Sequence, residues 1–405
     1  MTAAELGTLF FVQMAVILIA CRAAGFVVRR FLGQPQVVGE MLAGVLLGPS
    51  LFGALAPDLQ AALFPTESRS ALYVIAQLGV GLYMFVVGLG FRLSSLRDSA
   101  PSAAAVSVSG LVAPFLAAAA LTPWLLETPG LFAAGVPPRQ AGLFLGACIA
   151  ITAFPMLARI LHERSLGGSR VGALSLAAGA LGDAVAWIVL AVVLATLGDG
   201  ASLIWRAALG GGAFVLLAAL LAPRLMRPLA IETERAGRLA PGALTVCLIA
   251  FCLAAAMSDW SGLHAVFGGF VIGAAIPGDA LRRTLQERLE PFVTAALAPV
   301  FFCYSGLNTE LGLILDPTLL PIALAILIAS ILSKGVACWA AARLTGQDNP
   351  TALAIGALMN ARGMMELILI NIGLQRGVIE APLFSMLALM TLGACTTTGT
   401  STDTA

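Results

Sequence analysis

The chain alternates long apolar runs with short clusters of proline, glycine and charge. Thirteen apolar runs can be marked off, most of them close to the ~20 residues that a helix needs to cross a bilayer. They fall at about 8–28, 36–53, 71–90, 102–121, 140–161, 171–197, 203–222, 242–258, 261–277, 293–308, 318–342, 351–374 and 381–398. Such runs predict transmembrane helices, because a spanning segment must satisfy its backbone hydrogen bonds within itself. Between them lie loop-like stretches such as Pro57 to Ser70 and Glu232 to Arg238.

Composition closes off the soluble alternatives. Of 405 residues 60% are apolar and only 11% charged, and mean hydropathy is +0.98, where a soluble domain carries roughly a quarter charged residues. The pattern predicts an all-α polytopic membrane protein, one transmembrane domain over residues 1–405 without a soluble regulatory domain. Twenty-two basic and 21 acidic residues leave a net charge of +1, which offers nothing to nucleic acid. The seven cysteines (Cys21, Cys148, Cys247, Cys252, Cys303, Cys338, Cys395) all lie in apolar runs and form no CxxC pair. They read as small hydrophobes packed between helices, not as a disulfide framework or metal cluster.

Arginine placement sets the orientation. Connections after odd-numbered spans, with their flanks, hold Arg29, Arg30, Arg92, Arg97, Arg159, Arg164, Arg170, Arg224, Arg227, Arg235, Arg238, Arg282, Arg283, Arg288 and Arg343. Those after even-numbered spans hold Arg69, Arg139, Arg206 and Arg376. Cytoplasmic loops are the basic ones, so the N-terminus is expected outside and the C-terminus in the cytoplasm, in the plasma (inner) membrane. Leu18-Ile-Ala-Cys21 looks like a lipoprotein cleavage box. The only early charge is Glu5, however, where a signal peptide needs basic residues, and an uncleaved first helix is the expectation.

Thirteen spans divide as six, a linker and six: 8–197, about 203–222, and 242–398. Span n and span n+7 then run in opposite directions, the arithmetic of an inverted repeat. The corresponding fifth and twelfth spans carry the poorest helix formers, Cys148-Ile-Ala-Ile-Thr-Ala-Phe-Pro155 and Ala357-Leu-Met-Asn-Ala-Arg-Gly363. Broken backbone survives at membrane depth only in protein or beside a cavity. Two such breaks at matching positions point to a midplane site; two ordinary kinks are the bland alternative.

Six ionisable residues fall within the spans: Arg22, Glu40, Asp183, Lys334, Arg362 and Glu366. Near the bilayer centre each costs ~2.5–3.5 kcal/mol to insert, on the order of 15 kcal/mol together. They must face a polar interior and compensate one another. Lys334 is the sole lysine of the chain; a buried lysine can give up its proton, whereas an arginine cannot. Asp183, among small residues, can take either a cation or a proton, or serve structurally by bonding the amide of a broken helix. Arg362 and Glu366, four residues apart, share a helix face and either join the ion site or hold the second break as a neutral pair. Thr152 in the first break is a further candidate ligand, while Glu40 and Asn360 are candidate cavity-lining residues. Arg22 is a candidate partner for Glu40. His162 reads as a solvated loop residue and His264 as an interfacial one.

With these residues on the page, the chain resembles monovalent cation:proton antiporters of the Kef-like and plant cation/proton exchanger group. The matching segments are Gln34–Ser50, Ile151–Leu161, Gly182–Trp187, Val300–Gly306, Ser333–Gly335 and Met359–Ile368, in family order. The resemblance implies a dimerisation domain and a mobile core, with the two broken helices crossing beside the ion site. It places the family's ion-binding aspartate on Asp183 and its embedded lysine on Lys334. The basic residue and carboxylate of the twelfth helix fall on Arg362 and Glu366. Members usually carry a polar residue where this chain has Gly182, which removes one candidate ligand. The function expected is exchange of Na⁺ or K⁺ for H⁺ by a homodimer, with no cofactor. A sodium-coupled organic-anion carrier of similar fold and a non-transporting membrane sensor or subunit are the alternatives, and no enzyme machinery is present.

Overall fold

The computed structural model describes residues 2–33, 36–91, 100–164, 166, 169–196, 209–261, 265–307 and 316–400. In chain order the helices are α1 (Ala3–Leu32), α2 (Gln36–Leu47), α3 (Phe52–Leu55), α4 (Pro57–Leu63), α5 (Thr66–Gly90) and α6 (Ala100–Glu127). Then come α7 (Pro138–Ala150), α8 (Phe154–Glu163), α9 (Arg170–Thr196), α10 (Gly211–Ala236), α11 (Ala243–Trp260) and α12 (Ala265–Ala275). The last are α13 (Asp279–Phe292), α14 (Ala298–Gly306, after a π turn at Val293–Leu297), α15 (Leu320–Leu344), α16 (Asn349–Leu358), α17 (Met364–Gln375) and α18 (Ala381–Thr400). Among the described residues the only β pairing is a single bridge, Phe132 to Ile379, and seven helices are long and apolar enough to cross a membrane.

Those helices present large apolar side chains outward, Phe11 and Phe31 at 75% exposure and Trp260 at 78%. On a soluble protein so much exposed apolar surface would drive association; against hydrocarbon it is matched. The fold is that of an integral membrane protein.

Packing sorts the helices into two bundles. One holds α1, α2, α5 and α10–α14; the other holds α6–α9 and α15–α18. Glycines let the first bundle close tightly. A Cβ on Gly44 of α2 would sit 2.2 Å from the Phe302 carbonyl oxygen of α14, and one on Gly273 of α12 would sit 2.2 Å from that of Phe85 in α5. The bundles meet where α5 touches α8, where α2 touches α18 and where α14 touches α17. At the first contact Phe91, at the end of α5, packs with Phe270 of α12 and Phe154 of α8, ring centroids 5.5–6.0 Å apart.

Several boundaries differ from the sequence expectation. Glu232–Arg238, read as a loop, is helical to Ala236 and closes on Gly237 in the left-handed conformation (φ 62°). Its charges lie on the exposed face, while Phe214, Ala218, Ala222, Met226 and Ala230 form a buried stripe at four-residue spacing. Residues 279–292, also read as a connection, form the amphipathic α13 with Leu281 and Leu285 buried. The second span stops at Leu47, followed by a turn around Pro49 and the short α3. Much of 57–70 is helical, in α4 and the start of α5. Cys252 is exposed, not packed between helices as its apolar run suggested, whereas Cys21, Cys148, Cys247, Cys303 and Cys338 are buried. Residues 203–208 of the seventh span, and His264, lie outside the described residues.

Candidate functional site: crossing helix breaks and their counter-charges

The fifth span is two helices. Proline at 155 has no N–H to donate to the Ile151 carbonyl and would clash with it, so α7 ends at Ala150. Ile151 turns extended (φ −62°, ψ 135°), and α8 begins at Phe154. The twelfth span breaks likewise between α16 and α17, over Met359–Gly363. The two non-helical segments touch: the Ala153 N–H donates to the Ala361 carbonyl at 3.0 Å, and Thr152 Oγ1 lies 3.5 Å from the Met359 carbonyl oxygen. A Cβ on Gly363 would lie 3.6 Å from that of Ala153 and 3.2 Å from the Met156 methyl carbon, so the second break packs directly on the first.

Each break leaves helix ends with unsatisfied backbone groups and partial charge. The C-terminal carbonyls of α7 are met by cations. Arg362 donates to Cys148 at 3.2 Å and Ile149 at 2.8 Å, with a longer bond to Ser330 at 3.4 Å, and Lys334 Nζ donates to Ala150. The positive N-terminus of α17 is met by an anion, as Glu366 Oε2 accepts from the Gly363 N–H at 2.7 Å. The other Glu366 oxygen takes Arg362 Nη1 at 2.9 Å. Arg362 and Glu366 are fully buried and Lys334 nearly so; each therefore needs the partners it has.

Asn360 is buried and its amide nitrogen donates to the Ile331 and Gly356 carbonyls, both at 3.3 Å, while its Oδ1 finds no partner among the described residues. The structure thus brings Thr152, Lys334, Asn360, Arg362 and Glu366 together at the crossing. Asp183 lies on α9, which packs on α6, α7, α8 and α16; its side chain is outside the described residues, as is that of His162. Glu40 stands apart in α2 of the other bundle, buried and accepting from Gln36 at 2.9 Å. Arg22, its suggested partner, is exposed on α1.

Two residues of α6 that the sequence reading passed over adjoin the site. A Cβ on Gly110 would lie 3.9 Å from Lys334 Cε, and one on Gly182 would lie 3.5 Å from the Ser107 hydroxyl. The available signal was a hydroxyl and a glycine three residues apart in an apolar span, a weak one.

The profile of the family described as sodium/hydrogen exchanger, transmembrane, matches residues 15–405. The chain belongs to that family. It is a transporter of the monovalent cation:proton antiporter group and not an enzyme. Similar curated proteins include the Na(+)/H(+) antiporter NhaS4 of Synechocystis, 34% identical over 390 residues, covering 95% of this chain and 94% of the relative. Cation/H(+) antiporter 20 of Arabidopsis thaliana is 32% identical (95% and 47% covered). K(+)/H(+) antiporter 1 of Saccharomyces cerevisiae is 31% identical (95% and 45%). The chain thus spans nearly all of the first and about half the length of the other two. Among solved structures, the sodium proton antiporter MjNhaP1 of Methanocaldococcus jannaschii shares the fold. Its TM-score is 0.68 at 16% identity, with 98% of this chain and 96% of that one covered.

Proposed function

We propose that this chain exchanges Na⁺ or K⁺ for H⁺ by alternating access, with the Asp183 carboxylate taking cation and proton in turn. The observation that carries the reading is the crossing of two interrupted helices, with Lys334 and Arg362 on the C-terminus of α7 and Glu366 at the N-terminus of α17. A helix end left bare at membrane depth would be untenable; one matched by protein charges can border a wetted site. Thr152 supplies a neutral oxygen beside it.

Charge counting gives the stoichiometry. At their ordinary charges Lys334, Arg362 and Glu366 sum to +1, and an ionised Asp183 brings the site to zero. Loading with one alkali cation or one proton gives the same +1, so the two loaded states cross the membrane with equal charge. Exchange is one for one and electroneutral as long as Lys334 keeps its proton throughout the cycle.

The 13-span, 6+1+6 architecture belongs to this reading and is supported by helix packing. Contacts of α1 with α2, α5 with α12, α6 with α7, α6 with α9 and α5 with α8 recur as α11 with α12, α14 with α2, α15 with α16, α15 with α18 and α14 with α17. Every partner is shifted by seven spans. The bundle of α6–α9 and α15–α18 is then the mobile core, carried by a homodimer in the plasma membrane with its N-terminus outside. Everted vesicles with a pH-sensitive dye test the proposal: Asp183→Asn abolishes cation-dependent dequenching. Persistent dequenching in that variant would overturn it.

A further inference from the structure

Resting on the assignment of Asp183 as the exchanging carboxylate, we infer that the Ser107 hydroxyl is a further ligand of the transported cation, filling the place Gly182 leaves without a side chain. Ser107 is only 7% exposed, in an apolar stretch of α6. The space in front of Gly182 opens onto it, since a Cβ there would meet Ser107 Oγ at 3.5 Å. That is ordinary contact distance: a methyl at 182 would already touch the hydroxyl, so the two positions are direct neighbours. Gly182 directly precedes Asp183.

The same face of α6 reaches the rest of the site. Gly110, one turn beyond Ser107, lies against the Lys334 side chain, whose ammonium bonds Ala150 at the edge of the first break. Along α6 and α7, Thr122 abuts Gly142 and Phe115 abuts Gly146. The two helices are therefore antiparallel, and α6 runs toward the end of α7 as its numbering falls. Ser107 thus faces Gly182 on α9 from the same stretch of α6 whose Gly110 lies against Lys334.

The chemistry suits the position. A hydroxyl offers two lone pairs and no charge, so it can coordinate an alkali cation without disturbing the charge balance.

Na⁺- and K⁺-driven proton exchange in proteoliposomes is the test, for Ser107→Ala, Ser107→Thr and the pair Ser107→Ala with Gly182→Asn, and with Asp183→Asn as control. Ser107→Ala is expected to raise the half-saturating cation concentration about tenfold at a near wild-type maximal rate, the size of one lost bond to a charged group. Ser107→Thr keeps the wild-type value, and Gly182→Asn, placing an oxygen in the same space from the opposite helix, restores most of the loss. Half-saturation unchanged in Ser107→Ala for both cations overturns the inference, as does failure of the asparagine to rescue. If Asp183→Asn abolishes exchange while Ser107→Ala behaves as wild type, only this inference falls. Exchange that survives in Asp183→Asn removes the assignment beneath it as well. Should a variant reconstitute poorly, the rise in melting temperature on adding NaCl or KCl in detergent gives the same answer, smaller in Ser107→Ala than in wild type. An equal rise overturns the inference.

Discussion

Arg362 is the residue on which the crossing turns. Its guanidinium joins two α7 carbonyls, the Ser330 carbonyl and Glu366, and is fully buried. Removing one side of a buried ion pair strands the other, at ~3–5 kcal/mol. Arg362→Ala is therefore expected to lower the melting temperature in detergent far more than a surface arginine such as Arg283→Ala; equal losses would show the crossing to be held elsewhere. Lys334→Arg keeps a cation on Ala150 but not one able to deprotonate. If the lysine only neutralises the helix end, the variant retains the wild-type pH profile of exchange; a shifted profile would give it a part in proton traffic. The residues at this crossing stood out in the sequence because charge in an apolar run is conspicuous. Ser107 and Gly110 did not, because a serine and a glycine in an apolar helix carry no such signal, and only the packing of α6 shows what they face. Glu40 stood out equally yet sits in the other bundle, since sequence distance says nothing about which helices meet.

Among the elements, the two breaks were legible because Pro155 and the Asn360–Gly363 run defeat a continuous helix for local reasons. The extent of α10 and the existence of α13 were not, since both leave the apolar pattern and hold on by a narrow buried stripe. Helix starts can be probed directly. Asp348 caps α16, accepting from the Thr351 N–H, and its hydrogen bonds to Thr351 hold its carboxyl below the usual carboxylate range. A carboxyl depressed in the folded state stabilises above its unfolded value, and the gain fades as pH falls toward the folded one. Asp348→Ala should thus melt below wild type at neutral pH, with the gap closing in acid; a pH-independent gap would contradict the cap. In the first bundle, Gly44→Ala forces a methyl onto the Phe302 carbonyl, and overpacking of this kind costs ~1–3 kcal/mol. Thermal melting that is unchanged would mean α2 and α14 pack less closely than described.

At the scale of the whole molecule the account rests on one bundle moving past the other, and their described meeting points are few. Phe91 and Phe270 on one side and Phe154 on the other form the contact nearest the first break. A disulfide between cysteines placed at 91 and 154, in a background lacking the native thiols, should halt exchange on oxidation and release it on reduction. Full exchange in the locked protein would argue against relative motion there. Membrane residence was legible in the apolar runs, which are a property of the chain alone. Which helices group into which bundle was not, because apolar spans of similar length and composition do not announce their neighbours. The central claim is that a single carboxylate serves both ions. It is tested most directly by imposing a Na⁺ or K⁺ gradient on proteoliposomes and reading internal pH, for wild type and Asp183→Asn side by side. The account predicts proton movement in wild type that clamping the membrane potential leaves unchanged, and none above empty liposomes in the variant. Cation-driven proton movement in Asp183→Asn would contradict it.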